Sequence, residues 1–183
     1  MKIGIAGIGG IGSNVARLLA QAKVEQIKIV DFDCVETSNL NRQFYTFSQA
    51  GEKKTVSLKT NLLQIFPDMI IETIEKKIGP GDAEHLFSDC AIVVEGFDNK
   101  QMKKMIIEAF SNKKTLLVSA SGIAGSNMDT VCVKKMGNCH IVGDFTSDQA
   151  DHVLFPPKIA LVTSLMAGIV LNHIQNSITR NHG

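Results

Sequence analysis

The sequence predicts an α/β fold, a doubly wound, mainly parallel sheet with helices on both faces. Three observations carry this. Short apolar runs alternate with amphipathic stretches over the first two-thirds of the chain. A glycine-rich turn joins the first run to the first amphipathic stretch. Hydrophobic residues make up 44% of the chain, with a mean hydropathy of +0.10, which disfavours disorder and suits strands buried on both faces. At 183 residues the chain is sized for one domain, expected to span residues 1–183. A core of that size needs no disulfide or metal staple.

Residues 2–6 are a short apolar run ending in glycines, a buried strand. Ile11, Val15, Leu18, Leu19 and Ala22 then fall on one helical face. Residues 26–31 form a second strand. Residues 32–50 lack a period and are rich in Ser, Asn and Thr, and a loop that long in a compact domain is usually functional. A helix is expected over 51–66, closed by Pro67, then a strand over 69–74 and a short helix over 82–87. Residues 90–95 are a strand. Residues 99–110 are a helix with Met102, Met105, Ile106 and Ala109 on one face, and 115–119 a fifth strand. Beyond Ser119 the alternation weakens. Residues 122–126 read as a loop, 130–134 as a strand and 136–155 as irregular. Pro156 and Pro157 open an apolar helix over about 158–178, a core helix or half of a dimer interface.

Lys and Arg number 19 against 18 Asp and Glu, for a net charge of +1, so no basic excess recruits nucleic acid. The apolar stretch 159–171 contains Thr163 and Ser164 and is too short to span a bilayer, so no membrane is expected. Residues 1–7 have the charge and apolar content of a weak signal peptide, but the glycines that follow have a better use. Cysteines stand at 34, 90, 132 and 139, with no pair spaced for a zinc knuckle. Reduced thiols in a cytoplasm are the expectation.

Gly7-Ile8-Gly9-Gly10-Ile11-Gly12 joins strand to helix and fits G-x-G-x-x-G through Gly7, Gly9 and Gly12. Without Cβ atoms the backbone can turn tightly and let a phosphate approach the unpaired amides of the helix N-terminus. Asp31 ends the second strand, where a carboxylate accepts bonds from ribose hydroxyls. The motif indicates an adenosine nucleotide without separating NAD from ATP, and a tight turn without ligand is the plainer alternative.

The stretch Asp31-Phe-Asp33-Cys-Val-Glu-Thr-Ser38-Asn39-Leu40-Asn41-Arg42-Gln43 is more discriminating. Arg42, accompanied only by Arg17 and Arg180 in the whole chain, brings a fixed fork of donors suited to phosphate oxygens. Gly51-Glu-Lys-Lys54 opens the next helix with further positive character. Several positive groups suit a triphosphate to be cleaved better than a diphosphate merely held.

Together with Glu95-Gly-Phe-Asp98-Asn99, these segments resemble the ATP site of the ThiF/MoeB/HesA family, bacterial relatives of ubiquitin-activating enzymes. The likeness spans roughly residues 3–120 and is greatest to compact ThiF-type sulfur carrier protein adenylyltransferases linked to thiamine (thiazole) synthesis. The resemblance implies a Rossmann-like fold. It implies that Gly7, Gly9, Gly10, Gly12, Asp31, Asp33, Asn39, Arg42, Gln43 and Lys54 bind ATP, that Arg42, Lys54 and Asp98 serve catalysis, and that Asp98 orders Mg²⁺. The implied substrate is a small ubiquitin-like sulfur carrier protein ending in Gly-Gly. Its C-terminal carboxylate would attack the α-phosphorus to give an acyl-adenylate and pyrophosphate. A homodimer and a sulfur donor protein are further implied partners. Larger relatives carry a helix before the first strand, with an arginine that reaches a partner subunit's ATP. Many relatives also carry a structural zinc. This chain is expected to lack or replace the arginine, and no zinc is expected.

Other residues take plainer readings. Asp33 is expected to serve the turn and Gln43 to fix the loop backbone. His85 and His173 are read as structural or surface groups, Asp144 and His152 as parts of a solvated loop. Lys103, Lys104, Lys113 and Lys114 are read as solvated charges, and the seven methionines as core filler. Cys139 follows an expected turn, Met136-Gly137-Asn138, in the region where relatives carry a sulfur-relay cysteine, but no flanking cation is present to lower its pKa. Three rival functions remain open: an NAD(P)-dependent oxidoreductase, a related ATP-dependent tRNA-modifying dehydratase, and a nucleotide-binding subunit without activity of its own.

Overall fold

The computed structural model describes the backbone of residues 1–181 and the side chains of residues 1–179. The end of the expected domain lies outside those residues. The strands are β1 (Ile3–Ala6), β2 (Gln26–Asp31), β3 (Ile70–Glu75), β4 (Ile92–Glu95), β5 (Leu116–Ala120), β6 (Cys132–Met136) and β7 (Cys139–Gly143). The helices are α1 (Gly10–Gln21), α2 (Lys54–Ile65), α3 (Asp82–Leu86), α4 (Lys100–Phe110) and α5 (Pro156–Asn181). The sheet runs β3-β2-β1-β4-β5-β7-β6 and is parallel throughout except for β6, which pairs antiparallel with β7 at one edge. This is the Rossmann-like α/β architecture. The chain order reverses between β1 and β4, so a crevice opens beyond the carboxyl ends of those two strands.

Strand alternation divides the core into two layers. Ile3, Ile5, Ile27, Ile29, Ile92, Val94 and Val118 pack against α1, α2 and α5. Ala6, Val30, Val93 and Leu117 face the opposite way, against Phe87 and the α3 and α4 residues Leu86, Ile106 and Phe110. Period-two alternation sends successive side chains to opposite faces, so strands apolar at every position require helices on both. Gly4 is glycine for the second layer's sake, because a Cβ there would stand 2.3 Å from the Phe87 ring.

The structure departs from the sequence reading in three places. Gly51 sits at φ 90 in a turn, so α2 begins at Lys54 rather than at the glycine. The supposedly irregular stretch 136–155 contains β7, which turns back on β6 through Gly137 at φ 58 and joins β5. The last helix is longer than the apolar run read from sequence. Its residues Pro156–Thr179 are long and apolar enough to cross a membrane by length and composition. Ile159, Val162, Met166 and Val170 of that helix are nevertheless part of the layer shared with α1, and this packing accounts for its apolar face.

Candidate active site

The glycine turn lies over the crevice. Gly7 takes φ 81, and Gly9 caps α1 without any side-chain hydrogen bond, with no acidic residue in the helix's first turn. The amides there are open to an anion. Gly12 is enforced from the other side. A Cβ there would lie 1.9 Å from the Gly7 carbonyl oxygen, and one at Gly96 would lie 2.5 Å from the same atom. These two glycines let α1 and the end of β4 close on the turn.

Two acids and a lysine shape the adjoining wall. Asp31 is buried at the end of β2, and its Oδ2 accepts the Ile8 amide at 2.8 Å. Its Oδ1 accepts the Asp33 amide at 2.8 Å. One carboxylate therefore braces both the glycine turn and the loop that follows β2. Each oxygen keeps a second lone pair for a ligand hydroxyl. The Lys54 ammonium, buried at the start of α2, lies 3.1 Å from Asp33 Oδ2. Asp33 was expected to serve the turn, but its carboxylate is committed to this ion pair, because the Lys54 amide also donates to the Asp33 carbonyl and fixes the two side by side.

The long loop is ordered by short-range bonds and three links to α1 and the glycine turn. Thr37–Asn39 and Phe47–Gln49 form single 3₁₀ turns. Asn14 Nδ2 donates to the Gly10 and Arg42 carbonyls, and Ser13 Oγ accepts the Phe44 amide. Tyr45 donates its hydroxyl to the Ile8 carbonyl at 2.8 Å. Burial, then the charges of Asp31 and Asp33, push the Tyr45 phenol well above its ordinary range, so it stays a donor. Within this frame Arg42 donates through Nη2 to Asn39 Oδ1 at 2.9 Å, and through Nη1 to Asn41 Oδ1 and the Ser38 carbonyl. Arg42 is half-buried, and its aliphatic stem lies beside Gly10. Gln43 also faces the cavity, with its Oε1 buried and unpartnered among the described residues. That atom does not tie the loop backbone as the sequence reading expected.

Across the crevice, β4 ends in Glu95. This side chain is fully buried and fully bonded, accepting from the Phe97 amide, the Ser119 hydroxyl and the Lys103 ammonium. Lys103 is thus the partner of a buried acid rather than a solvated helix charge. Three residues on, Asp98 is exposed and makes no hydrogen bond or ion pair among the described residues. A free, hard oxygen donor of this kind fits Mg²⁺, with ligand phosphates supplying further oxygens. Among the described residues no three His, Cys, Asp or Glu side chains converge as a metal cage.

The crevice holds a cavity of about 280 Å³ that brings together Gly7, Gly9, Gly10, Asp31, Asp33, Asn39, Arg42, Gln43, Lys54 and Asp98. Of the residues singled out from sequence, only Gly12 lies behind it. Sequence reasoning missed Gln149, Leu154 and Ile159, which form its far wall. The node that holds this wall is buried. Asp144, expected in a solvated loop, lies 2.6 Å from the Lys158 ammonium, which also donates to the Ala124 carbonyl. Burial alone would raise the Asp144 carboxyl. Its bonds to Lys158 and to the Ser147 and Thr146 amides override that and hold it below the usual carboxylate range. Cys139 is no relay candidate. It is buried in β7, and burial, then the Glu95 charge, push its thiol up to about 11. Cys132 lies in the strand read there from sequence, on the exposed edge strand β6.

Comparison with known proteins bears on the family and the fold. The "Adenylyltransferase and sulfurtransferase UBA4" of Candida glabrata is 33% identical over 141 residues, covering 76% of this chain and 33% of that protein. The "Molybdopterin-synthase adenylyltransferase" of Haemophilus influenzae is 32% identical over 123 residues, covering 67% of this chain and 51% of the relative. The chain thus spans from a third to about half the length of these relatives. In the solved structures, the E. coli tRNA N6-threonylcarbamoyladenosine dehydratase TcdA superposes with a TM-score of 0.88 at 18% identity, over 98% of this chain and 87% of that one. At that identity the likeness establishes the fold. The ThiF family pattern matches residues 1–182, and with that extent of agreement the chain belongs to the ThiF family.

Proposed function

We propose that the protein adenylylates the C-terminal glycine carboxylate of a small ubiquitin-like sulfur carrier protein, with ATP as the second substrate. The observation that carries this reading is the arrangement of the crevice. Open helix amides, Arg42 and Lys54 lie on one side of it, and the unpaired carboxylate of Asp98 lies on the other.

In this reading the phosphates lie over the α1 N-terminus. The ribose hydroxyls reach the free lone pairs of Asp31. The base enters the adjoining cleft of about 220 Å³, where Ile78, Phe97 and Met102 provide apolar walls. Arg42, held by Asn39, presents its fork to the phosphates, and Lys54 reaches them from its Asp33 pair. Asp98 would hold Mg²⁺, which supplies charge neutralisation to the leaving pyrophosphate. The carrier's carboxylate oxygen bonds to the α-phosphorus as the bond to pyrophosphate breaks, and the electron pair leaves on pyrophosphate. The nucleophile is already ionised, so no general base is required, and positioning and electrostatics supply the rate. A homodimer, a separate sulfur donor and a cytoplasmic setting complete the proposal. The four free cysteines fit a reducing compartment.

The test is ATP–pyrophosphate exchange with the carriers of thiazole and of molybdopterin synthesis, each ending in Gly-Gly, and with tRNA in a parallel arm. Carrier-dependent exchange supports the proposal, and the faster carrier identifies the pathway. Turnover with tRNA alone would replace it with the dehydratase reading. A folded, ATP-binding protein inert with every carrier would leave only a nucleotide-binding subunit.

A further inference from the structure

A second cavity, of about 350 Å³, lies between α5 and the β6–β7 hairpin and shares no lining residue with the nucleotide crevice. It sits where β7 begins, the opposite end of the parallel sheet from the crevice. Lys135 and His140 are directly paired across the β6–β7 ladder, which brings their side chains out on one face about 5 Å apart. From the helix, Asn172, His173 and Asn176 project at spacings of one helical face. Leu116 and Ile169 form an apolar floor.

The chemistry of this lining is one-sided. Its titratable groups among the described residues are Lys135, His140 and His173, with no carboxylate among them. Two side-chain carboxamides add neutral donors, while the Ser177 hydroxyl is spent on the His173 carbonyl. His140 Nδ1 is buried and without a hydrogen-bond partner. Burial, then the charges of Lys135 and His173, hold the His140 imidazole below its ordinary range. Like charges placed directly opposite on a ladder are unfavourable, and an anion between them reverses the sign of that interaction. A metal ion would suit two imidazoles, but the ammonium of Lys135 opposes a cation at the same point.

We infer that the groove formed by Lys135, His140 and His173 is a binding site for a small oxyanion, the phosphate or carboxylate group of a metabolite, separate from the nucleotide crevice. Donors on three sides and an apolar floor match a group that is charged at one end.

Imidazole resonances of the full chain, followed by NMR during titration at constant ionic strength, test this. Inorganic phosphate and acetate are titrated separately against chloride. His140 and His173 are expected to shift together and to saturate with one of the two anions, and both should then titrate at higher pH than in chloride. The anion that saturates identifies the group. Lys135→Met should weaken that saturation at least tenfold while ATP binding stays unchanged, and His140→Gln should do the same as an independent check. Shifts that never saturate overturn the inference, as do shifts that Lys135→Met leaves intact. Saturation by Zn²⁺ with no response to either anion also overturns it, in favour of a metal site.

Discussion

Asp31 and Asp98 are carboxylates on one crevice, yet their surroundings set them to different work. Asp31 is buried and takes two backbone amides, so it shapes the walls as well as meeting a ligand. Asp98 makes no hydrogen bond or ion pair among the described residues and is available to a ligand. Asp98→Ala should therefore leave the fold and the melting temperature unchanged while carrier-dependent exchange falls at least about 10²-fold, the scale for one preorganised electrostatic group. Retained activity with unchanged Mg²⁺ dependence would remove Asp98 from the reaction. Asp31→Ala should instead weaken ATP binding and lower stability together, because two amides lose their acceptor. A calorimetric titration with ATP beside a thermal melt separates these outcomes. Arg42→Lys should fail to rescue Arg42→Ala in the exchange assay. Arg42 bonds Asn39, Asn41 and the Ser38 carbonyl through two nitrogens at once, and an ammonium cannot reproduce that fork.

At the scale of elements, the first five strands and four helices were legible because apolar runs and helical faces repeat there without interruption. The glycine motif was legible because close approach leaves no alternative to glycine. Gly12→Ala tests that reasoning. The added Cβ meets backbone rather than a flexible side chain, so the variant should lose about 1–3 kcal/mol of stability in a denaturant melt. The hairpin β6–β7 was half legible. The strand read over 130–134 overlaps β6, and its bounds slip by two residues because every residue of β6 is exposed and no buried period marks them. The other strand, β7, a short run joined through a glycine turn, was missed. That miss changed the reading of Cys139, which looked like a loop thiol and is a buried strand residue. Alkylation mapped by mass spectrometry on the native protein should label the exposed Cys132 first. Cys90 and Cys139, with thiols pushed up to about 12 and about 11, should stay protected. Rapid labelling of Cys139 would restore it as a relay candidate. Replacement of all four cysteines should leave exchange intact, since attack at phosphorus by a carboxylate has no step for a thiol.

Across the whole molecule, distant segments are tied by ion pairs that no local pattern announces. Lys2 and Lys28 join Glu72 and Asp89 at the amino ends of β1, β2 and β3. Asp144 and Lys158 join the segment after β7 to α5 behind the nucleotide crevice. The sequence placed Asp144 in solvent because the loop around it is polar, and its partner lies on another element. These carboxylates are held below their ordinary range, Glu72 and Asp89 chiefly by bonds from Lys2, and Asp144 by Lys158 and two amides against the effect of burial. A depressed folded-state pKa contributes stability that is fully present above the unfolded value of about 4 and is lost as pH falls below it. The melting temperature should therefore hold from pH 7 to 5 and fall steeply below pH 4. Asp144→Asn makes the test specific. Lys158, 1% exposed, is left charged and unpaired, so the variant should be less stable at pH 7 by about 3–5 kcal/mol, the cost of breaking a buried pair. Its deficit against the parent should shrink from pH 5 to pH 3, because the parent's unfolded chain then takes up a proton on Asp144 that its folded state does not bind, and the variant has no such group. The double variant Asp144→Asn, Lys158→Met removes the stranded charge and should recover part of the loss at neutral pH. If parent and single variant instead lose stability in parallel down to pH 3, Asp144 does not carry the acid sensitivity, and the Lys2, Lys28, Glu72 and Asp89 network at the other end of the sheet becomes its source.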